Sequence, residues 1–146
     1  SIRTPSPQGL SVAPFTGFMK SYYVENKFDS TTEQDFAFIL ENESKVLKWL
    51  RPVTNQFSIY WGNGAHKYEP DFIVETEDSI YMIETKKAKD VTDDDVQAKK
   101  DAAQEYCKYA TEYNIQNGGK PWQYILLPHD SVDRTCSFDF LMAHKA

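Results

Sequence analysis

The stretch YEPDFIVETEDSIYMIETK, residues 68–86, decides the fold. Phe72, Ile73 and Val74 lie inside a run over residues 68–76, and a second run, Ile80–Lys86, follows Glu77-Asp78-Ser79. Aromatic and β-branched residues on both sides of a short polar stretch predict two strands joined by a turn. Toward the N-terminus, residues 57–61 form a third such run, closed by the turn signal Gly62-Asn63-Gly64. Three strands at this spacing predict an antiparallel meander. Before it, Ser30 and Glu33 have the spacing of a capping box, in which hydroxyl and carboxylate each satisfy a helix-start N–H. Phe36, Ile39, Leu40, Val46, Leu47 and Leu50 then predict one helical stripe with a slip near Asn42, ended by Pro52.

Toward the C-terminus, Thr92 is the expected N-cap of a long helix with Asp93, Asp94 and Asp95 in its first turn, where the helix dipole favours negative charge. Its apolar stripe is Val96, Ala103, Cys107 and Ala110, with Tyr106 and Tyr113 beside it, and Asn117-Gly118-Gly119 stops it. Residues 123–127 predict a fourth strand and Phe138–Ala143 a short helix. The order helix, three strands, helix, strand predicts an α/β fold. Its central sheet is mixed and flanked by helices, because the fourth strand returns through a helical crossover.

At 146 residues the chain is the size of one domain. Residues 1–14 hold three prolines and no periodicity, so they read as a linker or N-terminal arm, and residues 15–146 as the domain. Phe15, Phe18, Tyr22 and Tyr23 are expected to pin the arm down. The chain lacks an initiator Met, which suggests a fragment of a larger protein or a processed chain. Hydrophobic residues at 40% supply a core, and no uncharged stretch is apolar enough to span a membrane. The net charge of −6 weighs against nucleic-acid binding by bulk positive charge. It says less about a site where metal ions supply that charge. Cys107 and Cys136 are too few for a stapled mini-domain or a zinc site. They read as reduced thiols of a cytoplasmic protein, or alternatively as one disulfide in an exported domain.

The chemistry concentrates at Asp71 on one strand and Glu84-Thr85-Lys86 on the next. Side chains alternate along a strand, so Glu84 and Lys86 project from the face that Ile80 and Met82 occupy earlier. Charge at a sheet's end is costly unless it is paired or binds a metal. Two carboxylates and a backbone carbonyl, that of Thr85, suit a hard cation such as Mg²⁺. Such an ion polarises a phosphoryl oxygen and lowers the pKa of a bound water, and a nearby lysine orients the attacking water or neutralises transition-state charge. The set suits phosphodiester hydrolysis. The alternative is a structural salt bridge from Lys86 to Asp71 or Glu84. The chain carries no phosphate-binding loop, dinucleotide fingerprint or Gly-x-Ser-x-Gly elbow, and its three histidines lack zinc spacing.

Asp71, twelve residues, then Glu84-Thr85-Lys86 resembles the motif of the PD-(D/E)XK nuclease superfamily, whose core is restriction-endonuclease-like, in the order αβββαβ. More narrowly, the chain is similar to the C-terminal endonuclease domain of type III restriction enzymes and related helicase-linked nucleases. EQDFAFIL (residues 33–40), Val46 to Trp49, residues 68–72, residues 83–87 and the helix over 99–107 carry that similarity, which spans residues 15–130.

The resemblance implies a Mg²⁺-dependent DNA endonuclease of a restriction system, with Mn²⁺ substituting. Asp71, Glu84 and Lys86 would be catalytic, and Asp71, Glu84 and Thr85 would hold the metal. An acid from the first helix would join them: Glu33, which also has the capping reading, or secondarily Glu41. Lys67, Lys87, Lys89, Lys99 and Lys100 would meet DNA phosphates, or form a solvated face that neighbouring aspartates neutralise. Tyr68 would line the DNA groove, Gln97 would be an accessory residue beside the metal, and His129 reads as a loop residue. The resemblance further implies a helicase/ATPase domain in the same parent chain, a modification or specificity subunit, and no membrane. The competing expectations are a noncatalytic nucleic-acid-binding or docking module that keeps the fold, and an RNA or single-strand nuclease.

Overall fold

The computed structural model describes residues 15–16, 20–23, 25–53, 56–62 and 64–146. Along the chain run β1 (Phe15–Thr16), β2 (Glu25–Asn26), α1 (Thr31–Asn42), β3 (Val46–Leu50), β4 (Ile59–Trp61), β5 (His66–Tyr68), β6 (Phe72–Thr76) and β7 (Ile80–Lys86). After a 3-10 turn at Ala88–Asp90 come α2 (Asp94–Gln116), β8 (Trp122–Pro128), a second 3-10 turn at His129–Ser131, and α3 (Phe138–Ala143). The result is a mixed α/β fold around a four-stranded sheet of order β3-β6-β7-β8.

β6 and β7 pair antiparallel from Phe72↔Ile83 to Glu75↔Ile80, and the expected polar turn joins them. In that turn Ser79 N donates to Thr76 Oγ1 at 3.1 Å. β8 pairs parallel with β7 over seven residues, from Ile80↔Trp122 to Lys86↔Pro128, after the α2 crossover. The mixed sheet read from the sequence is therefore present. Alternation on its strands feeds two cores. Ile83, Ile125 and Leu127 join α1, Trp49, Phe72, Phe138 and Leu141 on one face. Met82, Tyr124 and Leu126 join Val96, Ala103 and Cys107 of α2 on the other.

Three expectations need correction. The helical stripe does not continue to Leu50: α1 ends at Asn42, and Val46–Leu50 is an edge strand antiparallel to β6. A bulge between Val46 and Lys48 puts an extra residue into β3, so Val46 and Trp49 are both buried while Leu47 is exposed. One bulge thus produces the i, i+3 spacing that mimics a helix. The meander is also composed differently. β4 pairs with β5 in a separate hairpin, and β3 takes the first strand's place beside β6. Glu69-Pro70 divides the long run because proline has no N–H to give a ladder. Finally, the N-cap of α2 is Asp93 rather than Thr92.

Residues 1–14, expected as an arm, and Phe18 lie outside the described residues. Tyr22 does not pin the N-terminal segment by packing, since it is 70% exposed. The backbone does so: Tyr22 N donates to Trp49 O at 2.8 Å and Trp49 N to Lys20 O at 3.1 Å. Cys107 and Cys136 are both free thiols. Among the described residues no helix is long and apolar enough to cross a membrane.

Candidate active site

The start of β6 and the end of β7 meet at one edge of the sheet, and this brings Asp71 to Glu84-Thr85-Lys86. Asp71 N donates to Ile83 O at 3.1 Å, just ahead of the β6–β7 ladder. Its Oδ2 accepts from Thr85 N at 2.9 Å and from Thr85 Oγ1 at 3.3 Å. Two donors from the neighbouring strand therefore fix the direction of this carboxylate. Glu84 lines the same cavity as Asp71, so the two carboxylates repel each other across it. Asp71, Glu84, Thr85, Lys86 and Lys87 line a cavity of about 320 Å³, together with Ser30, Glu33 and His129.

Glu33 reaches the cavity from the first turn of α1. Ser30 Oγ accepts from Glu33 N at 3.1 Å, as the capping box requires. The reciprocal bond shifts by one residue, because Glu33 Oε1 accepts from Asp29 N at 3.3 Å. That same oxygen is paired with Arg51 Nη2 at 2.5 Å. Glu33 thus caps the helix and faces the site at once.

Arg51 escaped the sequence reading. Its Nη1 donates to Asp71 O at 2.9 Å and its Nε to Lys27 O at 3.2 Å. The guanidinium lies over the Phe72 ring at 5.0 Å and the Phe28 ring at 5.6 Å. Its only sequence signal was a cation directly after an apolar run, and reading that run as a helix hid the signal. His129 was also missed as a site residue. Parallel pairing of Lys86 with Pro128 sets the next residue, His129, beside the end of β7. Equal seven-residue lengths of the two runs, had both been read in full, would have pointed there.

The electrostatics follow from five acids lining one cavity, Glu33, Asp71 and Glu84 together with Asp29 and Asp90. Burial, then the Asp71 charge, push Glu33 up to about 7 against the opposing Arg51. The same two causes push Glu84 well above the usual carboxylate range, and Lys86 only partly offsets them. Burial lowers His129 while the Asp71 charge opposes it. Like charges held together in one cavity disfavour ionisation of their neighbours, as the Asp71 charge does for Glu33 and Glu84.

Other expected residues lie elsewhere. Glu41 is not in the site: its Oε1 accepts from Lys20 N at 2.9 Å and Trp49 Nε1 at 3.0 Å. Tyr68 does not line a groove, because it is 3% exposed and packed edge-on against Tyr124. Gln97 Nε2 donates to Val91 O at 2.7 Å, holding the turn before α2. Lys67 pairs with Glu69 at 2.9 Å, Lys99 with Asp95 at 3.4 Å, and Lys100 donates to Ala146 O at 3.4 Å. None of those three lines the cavity, and neither does the exposed Lys89 of the 3-10 turn. Lys86 and Lys87 do.

The donor set is all oxygen, the kind a hard divalent cation takes, and the mutual repulsion of Asp71 and Glu84 is what such a cation would relieve. Among the described residues no three His, Cys, Asp or Glu side chains converge as ligands. Asp71, Glu84 and the Thr85 carbonyl could therefore hold Mg²⁺ only with water completing its shell, which is the usual habit of that ion. No protein-family model and no curated protein matches the chain.

Proposed function

We propose that the chain is a Mg²⁺-dependent DNA endonuclease domain of the PD-(D/E)XK type, the cleavage module of a type III-like restriction enzyme. The observation that carries this reading is the convergence of Asp71, Glu84 and Lys86 on one cavity at the sheet's end. The sheet's own order also supports it. With the β4–β5 hairpin set aside as an insertion, the chain runs α1, β3, β6, β7, α2, β8, the sequence of a restriction-endonuclease-like core.

Each residue then has a task. Asp71, already aimed by Thr85, and Glu84 hold the cation, which when bound draws charge from the scissile phosphate. Lys86 makes no ion pair with the described residues, so its ammonium is free to orient water or meet a phosphate oxygen. Glu33 completes the acidic wall while Arg51 limits its charge. Lys87 and His129 border the path to the phosphate. An acidic chain relies on other modules for DNA affinity, so an ATPase motor in the parent chain and a specificity subunit belong to this proposal.

One observation favours a second reading, a noncatalytic nucleic-acid-binding module: Glu33 is ion-paired with Arg51, a partner that takes the place a metal ion would have. Plasmid cleavage by this chain in Mg²⁺, Mn²⁺ or EDTA, beside Asp71→Ala and Lys86→Ala, separates the two. Metal-dependent nicking that both substitutions abolish is expected. DNA binding that survives in both variants, with no cleavage by the wild type across a Mn²⁺ titration, would install the second reading instead.

A further inference from the structure

On the α2 face of the sheet, Met82 and then Glu84 project from β7, beside Tyr124 and Leu126 of β8. Tyr68, at the end of β5, closes this row, with its ring centroid 6.4 Å from that of Tyr124. Both rings are buried, and neither hydroxyl has a hydrogen-bond partner among the described residues. Interiors normally supply a partner for a buried phenol, and phenylalanine would fill the same space without an orphaned donor. Two such donors side by side call for a reason.

Position supplies it. The ionisable groups of the site that act on both phenols are Glu84 and, less strongly, Asp71. Asp71 is fixed by the amide and hydroxyl of Thr85, and the corresponding hydroxyl beside Glu84 is that of Tyr68. Tyr124 stands behind Tyr68, whose oxygen can accept one hydrogen bond while donating another.

We propose that Tyr68 and Tyr124 are positioning residues for Glu84: their buried hydroxyls form a donor floor beneath its carboxylate and fix the direction in which its oxygens meet a divalent cation. This rests on the reading of Asp71 and Glu84 as a cation site. In it Tyr68 donates to Glu84 and Tyr124 donates to the Tyr68 oxygen. Groups that orient metal ligands in this way typically change affinity by about 10–100-fold when removed.

The test is Mn²⁺ titration calorimetry on the chain and its Tyr68→Phe, Tyr124→Phe and Cys107→Ala variants, with circular dichroism to establish folding. Tyr68→Phe should weaken Mn²⁺ binding by about tenfold or more, and Tyr124→Phe by less. Cys107→Ala loosens the same core without facing Glu84, so its Mn²⁺ affinity should be that of the wild type. A metal-free arm uses tyrosine labelled with ¹³C at Cζ: Glu84→Gln should shift the Tyr68 and Tyr124 signals and leave exposed Tyr113 in place. Unchanged Mn²⁺ affinity in folded Tyr68→Phe overturns the proposal, and so do unmoved ring signals. A wild type that binds no Mn²⁺, with ring signals that still move, removes the cation reading alone and leaves the tyrosine contact standing.

Discussion

Arg51 answers a problem that the site's carboxylates create. Glu33, Asp71 and Glu84 share one cavity, and Arg51 is bonded to two of them, to the Glu33 carboxylate and the Asp71 carbonyl. A buried guanidinium is well suited to this, being always charged and able to donate in several directions at once. It does not neutralise all three acids, and the surplus sets a pH dependence. Glu33 is raised from 4.5 to about 7, so between those values the folded chain binds more protons than the unfolded one. Stability of the metal-free protein must then fall as pH rises through that window, by roughly 3 kcal/mol at most, with Glu84 adding a slope of the same sign. Urea denaturation at pH 4.5, 5.5, 6.5 and 7.5 measures it. Glu33→Gln should flatten the profile, and a wild-type profile that rises toward pH 7.5 contradicts the assignment.

At the scale of elements, legibility depended on whether local pattern and tertiary pairing agreed. α2, β8 and α3 were readable because apolar pattern and turn residues pointed the same way, even though the N-cap of α2 falls one residue later than expected. Gly118 shows this: it ends α2 with φ of +77°, a conformation that suits glycine, and Gly119 N donates to Asn114 O at 2.7 Å behind it. A Cβ at Gly118 would have no atom within 4 Å, so Gly118→Ala tests backbone strain without crowding. It should cost about 1–2 kcal/mol in urea denaturation, and a neutral result would mean that the helix end refolds around alanine. β3 was not readable, because its bulge gives a strand the spacing of a helix, and the partner that forms the bulge, β6, lies 20 and more residues away. The site divides along the same line. Asp71, Glu84 and Lys86 were visible from two adjacent strands, whereas β3 delivers Arg51 to its bonds with Glu33 and Asp71, and β8 delivers His129 to the cavity wall. The pairing of those strands is a property of the whole sheet.

For the molecule as a whole, that sheet is the element both cores share. Phe72, Val74 and Ile83 face α1 and α3, while Met82, on the same strand as Ile83, faces α2. Neither core can open without stripping a face from β6 or β7, which argues for one cooperative unfolding unit rather than two. The two free thiols make this measurable. Cys107 is 4% exposed on the α2 side, and burial pushes its thiol up to about 12, so in the folded chain it is both hidden and protonated. Its alkylation at neutral pH therefore reports opening. Leu141, fully buried in α3 on the opposite side, is the place to perturb. Leu141→Ala leaves a cavity worth about 2–4 kcal/mol, and each 1.4 kcal/mol is a tenfold change in the open population. If the cores unfold together, the variant should speed Cys107 alkylation by roughly 30- to 1000-fold, although the substitution lies across the sheet from the thiol. A Cys107 rate that stays at the wild-type value while Cys136 accelerates would show that the α3 side opens alone, and that the site, seated where both cores meet, is supported by two units rather than one.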